Sequence, residues 1–311
     1  MSQKYQTILG GGGAIGTPLA KELTAYTDKI RVAGRNPKKV NATDETFVLD
    51  LTNRANTHEA VKGSEVVYLV AGLKYTTKTW QEQWPGVFDN VLEACKKEGA
   101  KLVFFDNVYP YGRVQGPMTE ETPFNPCSKK GEIRAKLDLK LIDEYKKGNL
   151  EGVIVRGADF YGPGVGSSVF NLLVLNNLLK GKKANWMNNP KAIHTFTYTP
   201  DAAKATAIIG NTPSAFNQVW HAPADDHPIT GEEMVRIAAE MMGVEPKIQT
   251  LNNAMLWMAG LFQPAVMSMI EMTYQTKYDY IFKSDKFKKA FNFTATTYRD
   301  GIKACIEVLR K

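Results

Sequence analysis

Gly10, Gly11, Gly12, Gly13, Ala14, Ile15 and Gly16 stand in a row directly after the apolar run 5–9 and open an amphipathic segment that reaches residue 25. Residues without a Cβ at such a junction let a strand turn sharply into a helix while backbone amides and the helix N-terminus close on a pyrophosphate. The pattern predicts a dinucleotide site lined by Gly10, Gly12, Gly13, Ala14, Ile15 and Gly16. The next apolar run, 30–33, ends in Gly34-Arg35-Asn36, where a chain that binds NAD would usually carry an Asp or Glu for the ribose 2′-hydroxyl. A guanidinium there can hold a 2′-phosphate by bidentate, charge-assisted hydrogen bonds, and Lys38 and Lys39 add positive field. Arg35 is therefore read as a phosphate ligand in preference to a solvated loop residue. The expected cofactor is NADP, ahead of NAD.

Other residue clusters carry weaker chemistry. His221-Ala222-Pro223-Ala224-Asp225-Asp226-His227 gathers two imidazoles and two carboxylates, but its spacing matches no zinc pattern and reads as a turn. Cys127 has no histidine near it in sequence, and no Gly-x-Ser-x-Gly elbow is present. Gly162-Pro163-Gly164-Val165-Gly166, followed by Ser167 and Ser168, could bind an anion at a helix start. Trp80 and Trp84 are expected in a loop, either over a cofactor or sugar face or in the core.

These residues need a scaffold. Strand-like runs at 5–9, 30–33, 46–49, 66–70, 102–105 and 152–155 alternate with helical periodicity at 15–25, 86–97, 128–147 and 170–179. Alternation of this kind predicts a parallel, doubly wound α/β sheet with ligands at the carboxyl ends of its strands. Beyond about residue 165 the pattern loosens, with strands near 195–198 and 218–221, a helix from about Asp201, another from Thr230, and a last one over 296–310. Thr230 and Glu233 form a capping-box pair. The expected division is 1–165 for dinucleotide binding and 166–311 for a smaller substrate lobe, tightly packed and with some crossing of the chain.

Composition fits a globular protein with a large core: 43% of the 311 residues are hydrophobic. The net charge of +7 comes from 39 Lys and Arg spread along the chain, which argues against a nucleic-acid partner. Three cysteines, Cys95, Cys127 and Cys305, imply no disulfide framework and suit a reducing cytoplasm. The first strand begins by Tyr5, which leaves no room for a signal peptide. The Met-rich stretch 254–272 is interrupted by Gln263, Pro264 and Glu271 and is not expected to span a membrane. It reads as buried core or as an interfacial surface.

Taken together, the motifs resemble the extended form of the short-chain dehydrogenase/reductase superfamily, the group that includes NAD-dependent epimerases and dehydratases. The 10–16 run is similar to that group's glycine motif, Asp50-Leu51 to its adenine-contacting pair, and Val70-Ala71-Gly72 to the segment after the fourth strand beside the cofactor. Residues 156–164, Arg-Gly-Ala-Asp-Phe-Tyr-Gly-Pro-Gly, resemble the segment near the nicotinamide, and 196–203 resembles the strand-to-helix step ending in Asp-Ala-Ala. The resemblance implies a Rossmann-type fold with a smaller C-terminal α/β lobe. It also implies that Asp50, Leu51, Ala71 and Gly72 line the cofactor, and that two chains pair through helices of the cofactor lobe. The chain departs from the family at its Tyr-x-x-x-Lys pair, because residues 126–136 contain no tyrosine and Cys127 or a lysine takes its position.

Carbonyl reduction still needs a proton donor to the developing alkoxide. Tyr109 and Tyr111, just past the fifth strand, are the candidate donors, with Asn107 orienting the substrate oxygen. Arg134 and Lys136 are read as solvated. The preferred function is an NADP-dependent oxidoreductase acting on a small carbonyl or hydroxyl compound. The alternatives are a sugar-nucleotide epimerase or dehydratase, and a non-catalytic NADP sensor read by a partner protein.

Overall fold

Tyr5–Leu9 is buried along almost its whole length, as a strand must be when helices cover both faces of its sheet. The computed structural model describes residues 4–310. In chain order it contains β1 (Tyr5–Leu9), α1 (Gly16–Leu23), β2 (Ile30–Gly34), β3 (Glu45–Val48), α2 (Arg54–Val61), β4 (Ser64–Leu69), α3 (Thr77–Glu98), β5 (Lys101–Asn107), β6 (Pro117–Met118), α4 (Lys129–Lys146), β7 (Gly152–Gly157) and β8 (Asp159–Tyr161). There follow α5 (Asn176–Leu179), β9 (Ala184–Met187), β10 (Phe196–Tyr198), α6 (Thr199–Gly210), β11 (Val219–His221), α7 (Gly231–Met242), β12 (Ile248–Leu251), α8 (Asn253–Gly260), α9 (Pro264–Met269), α10 (Tyr274–Lys277), β13 (Ile281–Phe282), α11 (Asp285–Phe291) and α12 (Tyr298–Leu309).

Seven strands make one parallel sheet in the order β3-β2-β1-β4-β5-β7-β11. The order reverses between β1 and β4, which opens the crevice at their carboxyl ends where this Rossmann-type architecture takes its ligand. One face carries α1 and α6, with Leu19, Leu23, Ala202 and Ile209 in the core against Ile8 and Val32. The other carries α2, α3 and α4, with Trp84, Phe88, Val91 and Leu141 against Leu9, Val67 and Phe104.

The division expected at 165/166 is crossed by the chain. After β10 it returns to the first lobe, where α6 packs on α1 and β11 extends the main sheet beside β7. The second lobe holds the two-stranded parallel pairs β8/β10, β9/β12 and β6/β13, together with α7 and α12. Thr230 and Glu233 close the expected capping box on α7.

Three local expectations need correction. The helix expected from residue 86 starts at Thr77, is capped by the Thr76 hydroxyl, and runs through Pro85. Burial of Trp80, Trp84, Val87, Phe88 and Val91 along one stripe outweighs the one backbone hydrogen bond that proline removes. Trp80 and Trp84 are therefore buried helix residues and not loop residues. The segment 254–272 is not core: α8 buries only Leu256 and Gly260, and α9 buries nothing. No described helix is long and apolar enough to cross a membrane.

Candidate active site

The glycine turn is shaped by close backbone approach. Gly10 adopts φ +110°, and a Cβ there would lie 2.6 Å from the Ala71 Cα. A Cβ on Gly11 would sit 2.2 Å from Val32 Cγ1, and one on Gly16 would sit 2.3 Å from the Gly10 carbonyl oxygen. Gly12, by contrast, faces open space. The Gly13 amide donates to the Gly10 carbonyl, whereas those of Gly12, Ala14 and Ile15 meet no acceptor among the described residues. α1 has no side-chain cap. Three free amides, an uncapped helix start and one unobstructed glycine form a cradle that fits a pyrophosphate.

Arg35 is exposed one residue past Gly34, which packs near Gly11. Asp50 is exposed and its carboxyl is held below the ordinary carboxylate range by hydrogen bonds from Thr52, with the Arg35 charge adding to the effect. Leu51 is half-buried against the core beneath α3, and its carbonyl accepts from Asn90. Ala71 touches the glycine turn, and Gly72 is exposed beside it.

Past the ends of β4, β5 and β7 lies a cluster rich in phenols. The Tyr109 and Tyr75 hydroxyls are 3.1 Å apart. Trp80 stacks on Tyr109 with ring centroids 6.2 Å apart and meets Tyr75 edge-on at 5.6 Å. Burial pushes both phenols up, with Asp159 acting in the same direction, so each holds its proton at neutral pH. Asp159 opens β8, and its Oδ2 lies 2.9 Å from His194 Nε2. His194 stacks on Tyr280 at 4.5 Å. Asp159 and His194 also line a small recess with Phe170, Trp186, Met187 and Phe196.

If Cys127 is set at the family tyrosine's position, the lysine's position four residues on is Gly131. A Cβ there would lie 2.7 Å from the Tyr109 carbonyl oxygen, which leaves no room for a lysine side chain. Lys130 turns away and is fully enclosed. Its Nζ donates to Glu271 Oε1 at 2.7 Å, Thr77 Oγ1 at 3.1 Å and the Ser268 carbonyl at 2.5 Å, and it lies 4.7 Å from the Tyr75 ring centroid.

The other sequence-proposed residues are placed differently. The Asn107 side-chain oxygen accepts from the Tyr109 amide at 2.9 Å and so shapes the turn. Tyr111 is withdrawn from the crevice: it is buried, and its hydroxyl is 2.8 Å from His221 Nε2. Arg134, expected to be solvated, is buried and donates to Asp106, whereas Lys136 is exposed. The glycine cluster at 162–166 closes on itself, with Asn171 Nδ2 donating to the Gly162 and Val165 carbonyls and Ser168 donating to Phe160. His221 and His227 have different partners, since His227 pairs with Asp225 at the surface.

Both ring nitrogens of His221 are engaged, Nε2 by Tyr111 and Nδ1 by the Lys283 carbonyl at 2.6 Å. Burial lowers its pKa from 6.5 to about 3. Below the unfolded value of 6.5, the unfolded chain takes up a proton that the native fold refuses. The stability contribution is complete above that value and declines by about 1.4 kcal/mol for each pH unit below it. Urea unfolding between about pH 7 and about pH 5, where few carboxylates titrate, is expected to show a loss of about 2 kcal/mol. The same measurement on His221→Gln should show a flatter profile.

Sequence reasoning missed Tyr75, Asp159, His194 and the Lys130–Glu271 contact. Asp159 fell inside a segment read as lying near the nicotinamide, but no spacing distinguished it from its neighbours.

A sequence model of the NAD dependent epimerase/dehydratase family matches residues 7–220. Among curated proteins none matches. Solved structures share the fold over nearly the whole chain. UDP-glucose 4-epimerase from Thermus thermophilus, complexed with NAD, aligns with a TM-score of 0.80 at 18% identity, covering 98% of this chain and 99% of that one. dTDP-glucose 4,6-dehydratase from Bacillus anthracis, in complex with NAD, aligns with a TM-score of 0.81 at 17% identity, covering 99% and 97%. UDP-glucuronic acid 4-epimerase from Bacillus cereus, with UDP-glucuronic acid and NAD, aligns with a TM-score of 0.80 at 16% identity, covering 98% and 99%. The parallel sheet, the glycine turn at its switch point and the family match over more than half the chain lead to one assignment: this protein belongs to the NAD-dependent epimerase/dehydratase family.

Proposed function

We propose that this chain oxidises and reduces a hydroxyl-bearing carbon of a sugar nucleotide, using a nicotinamide dinucleotide in the manner of an epimerase or dehydratase. The observation that carries this reading is the adjacency of the amide cradle and the phenol–carboxylate cluster. The Ala71 backbone packs against Gly10, and the loop leaving Ala71 brings Tyr75 to Tyr109. The family match and the sugar nucleotides named for the solved relatives support this substrate class over the broader expectation of small carbonyl compounds. When bound, the nicotinamide supplies hydride transfer at the substrate carbon.

The proton work falls to side chains. Tyr109, protonated at neutral pH and hydrogen-bonded to Tyr75, donates to an alkoxide forming at the mouth of β5. In the reverse direction the same Tyr109 oxygen takes the proton back, and the Tyr75 hydroxyl, 3.1 Å away, stabilises the phenolate left in between by donating a hydrogen bond to it. Asn107 acts by holding the turn that carries Tyr109 and makes no reacting contact itself. Tyr109→Phe is expected to slow turnover of UDP-glucose, UDP-glucuronate or dTDP-glucose by about 10²-fold or more at unchanged dinucleotide affinity. An unchanged rate would remove Tyr109 from the mechanism. Nucleotide binding without turnover of any sugar nucleotide or carbonyl compound would favour the sensor alternative.

Cofactor choice rests on Arg35, whose exposure at the end of β2 with no acid next to it in the chain supports acceptance of a 2′-phosphate. Parallel titration with NADPH and NADH, followed by nicotinamide fluorescence, is expected to show a preference for NADPH of about tenfold or more that disappears in Arg35→Ala. Tighter binding of NADH would assign NAD, the cofactor held by the solved relatives, and remove the 2′-phosphate role from Arg35.

A further inference from the structure

Residues 248–270 contain no Asp, Glu, Lys, Arg or His, in a chain where 23% of residues are Asp, Glu, Lys or Arg. After β12 the stretch folds as the hairpin of α8 and α9, closed where Gly260 meets the Met267 backbone. Its apolar side chains point outward: Trp257 is 53% exposed, Met258 55%, Leu261 58% and Phe262, at the tip, 87%. Four large hydrophobic residues with no charge among them form an unusual surface for a globular fold, and such a patch marks an interaction site. The helices span eight and six residues, too short to cross a bilayer and suited to lying at its surface.

The base of the hairpin decides what covers it. Thr77 N donates to Ser268 Oγ at 3.2 Å, and Lys129 N donates to Glu271 Oε2 at 2.7 Å. These contacts bring Lys78 and Lys129 to the base of the hairpin. Both are exposed. Glu271 is engaged by Lys130, and Glu82 makes only a 3.8 Å contact with Lys78. A second copy of the chain would bring the same lysines, and another +7 net charge, against this rim. Anionic headgroups would neutralise the lysines while the acyl boundary takes up the rings.

We propose that the α8–α9 hairpin docks this protein on an anionic lipid surface, with Trp257, Met258, Leu261 and Phe262 in the interface and Lys78 and Lys129 on the headgroups. The test is co-sedimentation of the full chain with vesicles of phosphatidylcholine alone or mixed equally with phosphatidylglycerol, combined with Trp emission and sedimentation velocity of the free protein. The expected result is binding to the mixed vesicles that weakens as salt rises, a blue shift of Trp emission, and little binding to the neutral vesicles. Phe262→Ser, at a side chain the fold leaves exposed, should weaken binding about tenfold with an unchanged far-ultraviolet spectrum. Lys78→Glu with Lys129→Glu should weaken it as well. Failure of the wild-type chain to bind mixed vesicles, or equal binding of Phe262→Ser, overturns the proposal. So does a dimer in free solution that Phe262→Ser dissolves, which would assign the face to a second copy. Equal binding to both vesicle types would overturn the role of the lysines.

Discussion

Arg156→Met is expected to lower global stability by about 3–5 kcal/mol, seen as a fall in the urea midpoint at unchanged slope. Arg156 is fully buried. Its Nη1 donates to Asp106 Oδ2 at 3.0 Å and to the Asn107 carbonyl at 2.7 Å, and its Nη2 donates to Asp138 Oδ2 at 2.7 Å. Asp106 also pairs with Arg134, which lies 4.5 Å from the Trp84 ring centroid and 4.7 Å from that of Phe104. Two guanidiniums and two carboxylates thus join β5, β7 and α4. Removing one cation leaves a carboxylate buried without its partner, and burial already pushes the Asp138 carboxyl well above its usual range. Arg156→Met combined with Asp138→Leu removes both charges of that pair and should recover part of the loss. A single variant within about 1 kcal/mol of wild type would mean that water or a protonated carboxyl compensates freely at this position. The Arg156 bond to the Asn107 carbonyl also braces the end of β5, so the variant should loosen the Tyr109 turn even where the fold survives.

The periodic parts of this molecule were legible in its sequence, and the contingent parts were not. Continuous apolar runs separated by helical stripes identified the six main strands from β1 to β7, because a sheet covered on both faces needs that pattern. The glycine turn was legible because its requirement is local: the backbone must approach Ala71, Val32 and its own carbonyl within seven residues. The cluster past the strand ends is drawn from positions 75, 109, 159, 194 and 280, and no spacing rule connects residues that meet only once the chain between them has folded. Tyr109 and Tyr111 illustrate the limit. They flank Pro110 in a turn with three residues per revolution, so their rings leave the backbone about 240° apart. One ring reaches Tyr75 and the other His221. Sequence could nominate both but could not say which faces the crevice. The hairpin at 254–272 failed for the converse reason, since apolar composition signals burial without saying whether the burial lies within this chain.

The second large effect lies in the glycine turn, where two substitutions of equal size should behave oppositely. Gly16→Ala places a methyl group 2.3 Å from the Gly10 carbonyl oxygen and 2.8 Å from the Gly11 Cα, so the backbone itself must move. Overpacking of this kind costs about 1–3 kcal/mol, and opening the turn also scatters the free amides of Gly12, Ala14 and Ile15. Dinucleotide affinity is expected to fall about 100-fold, measured by nicotinamide fluorescence, along with a visible drop in melting temperature. Gly12→Ala meets no protein atom within 4 Å, and its backbone has no positive φ, so stability should be unchanged or slightly raised. If a pyrophosphate occupies the open space beside Gly12, the methyl group intrudes on it, and affinity should fall in a protein that is otherwise as stable as wild type. Loss of binding without loss of stability at Gly12 therefore locates the ligand, because no internal contact of the fold accounts for it. Full affinity in Gly12→Ala, with affinity lost in Gly16→Ala, would mean that the turn matters only as a junction between β1 and α1 and that the dinucleotide passes elsewhere in the crevice.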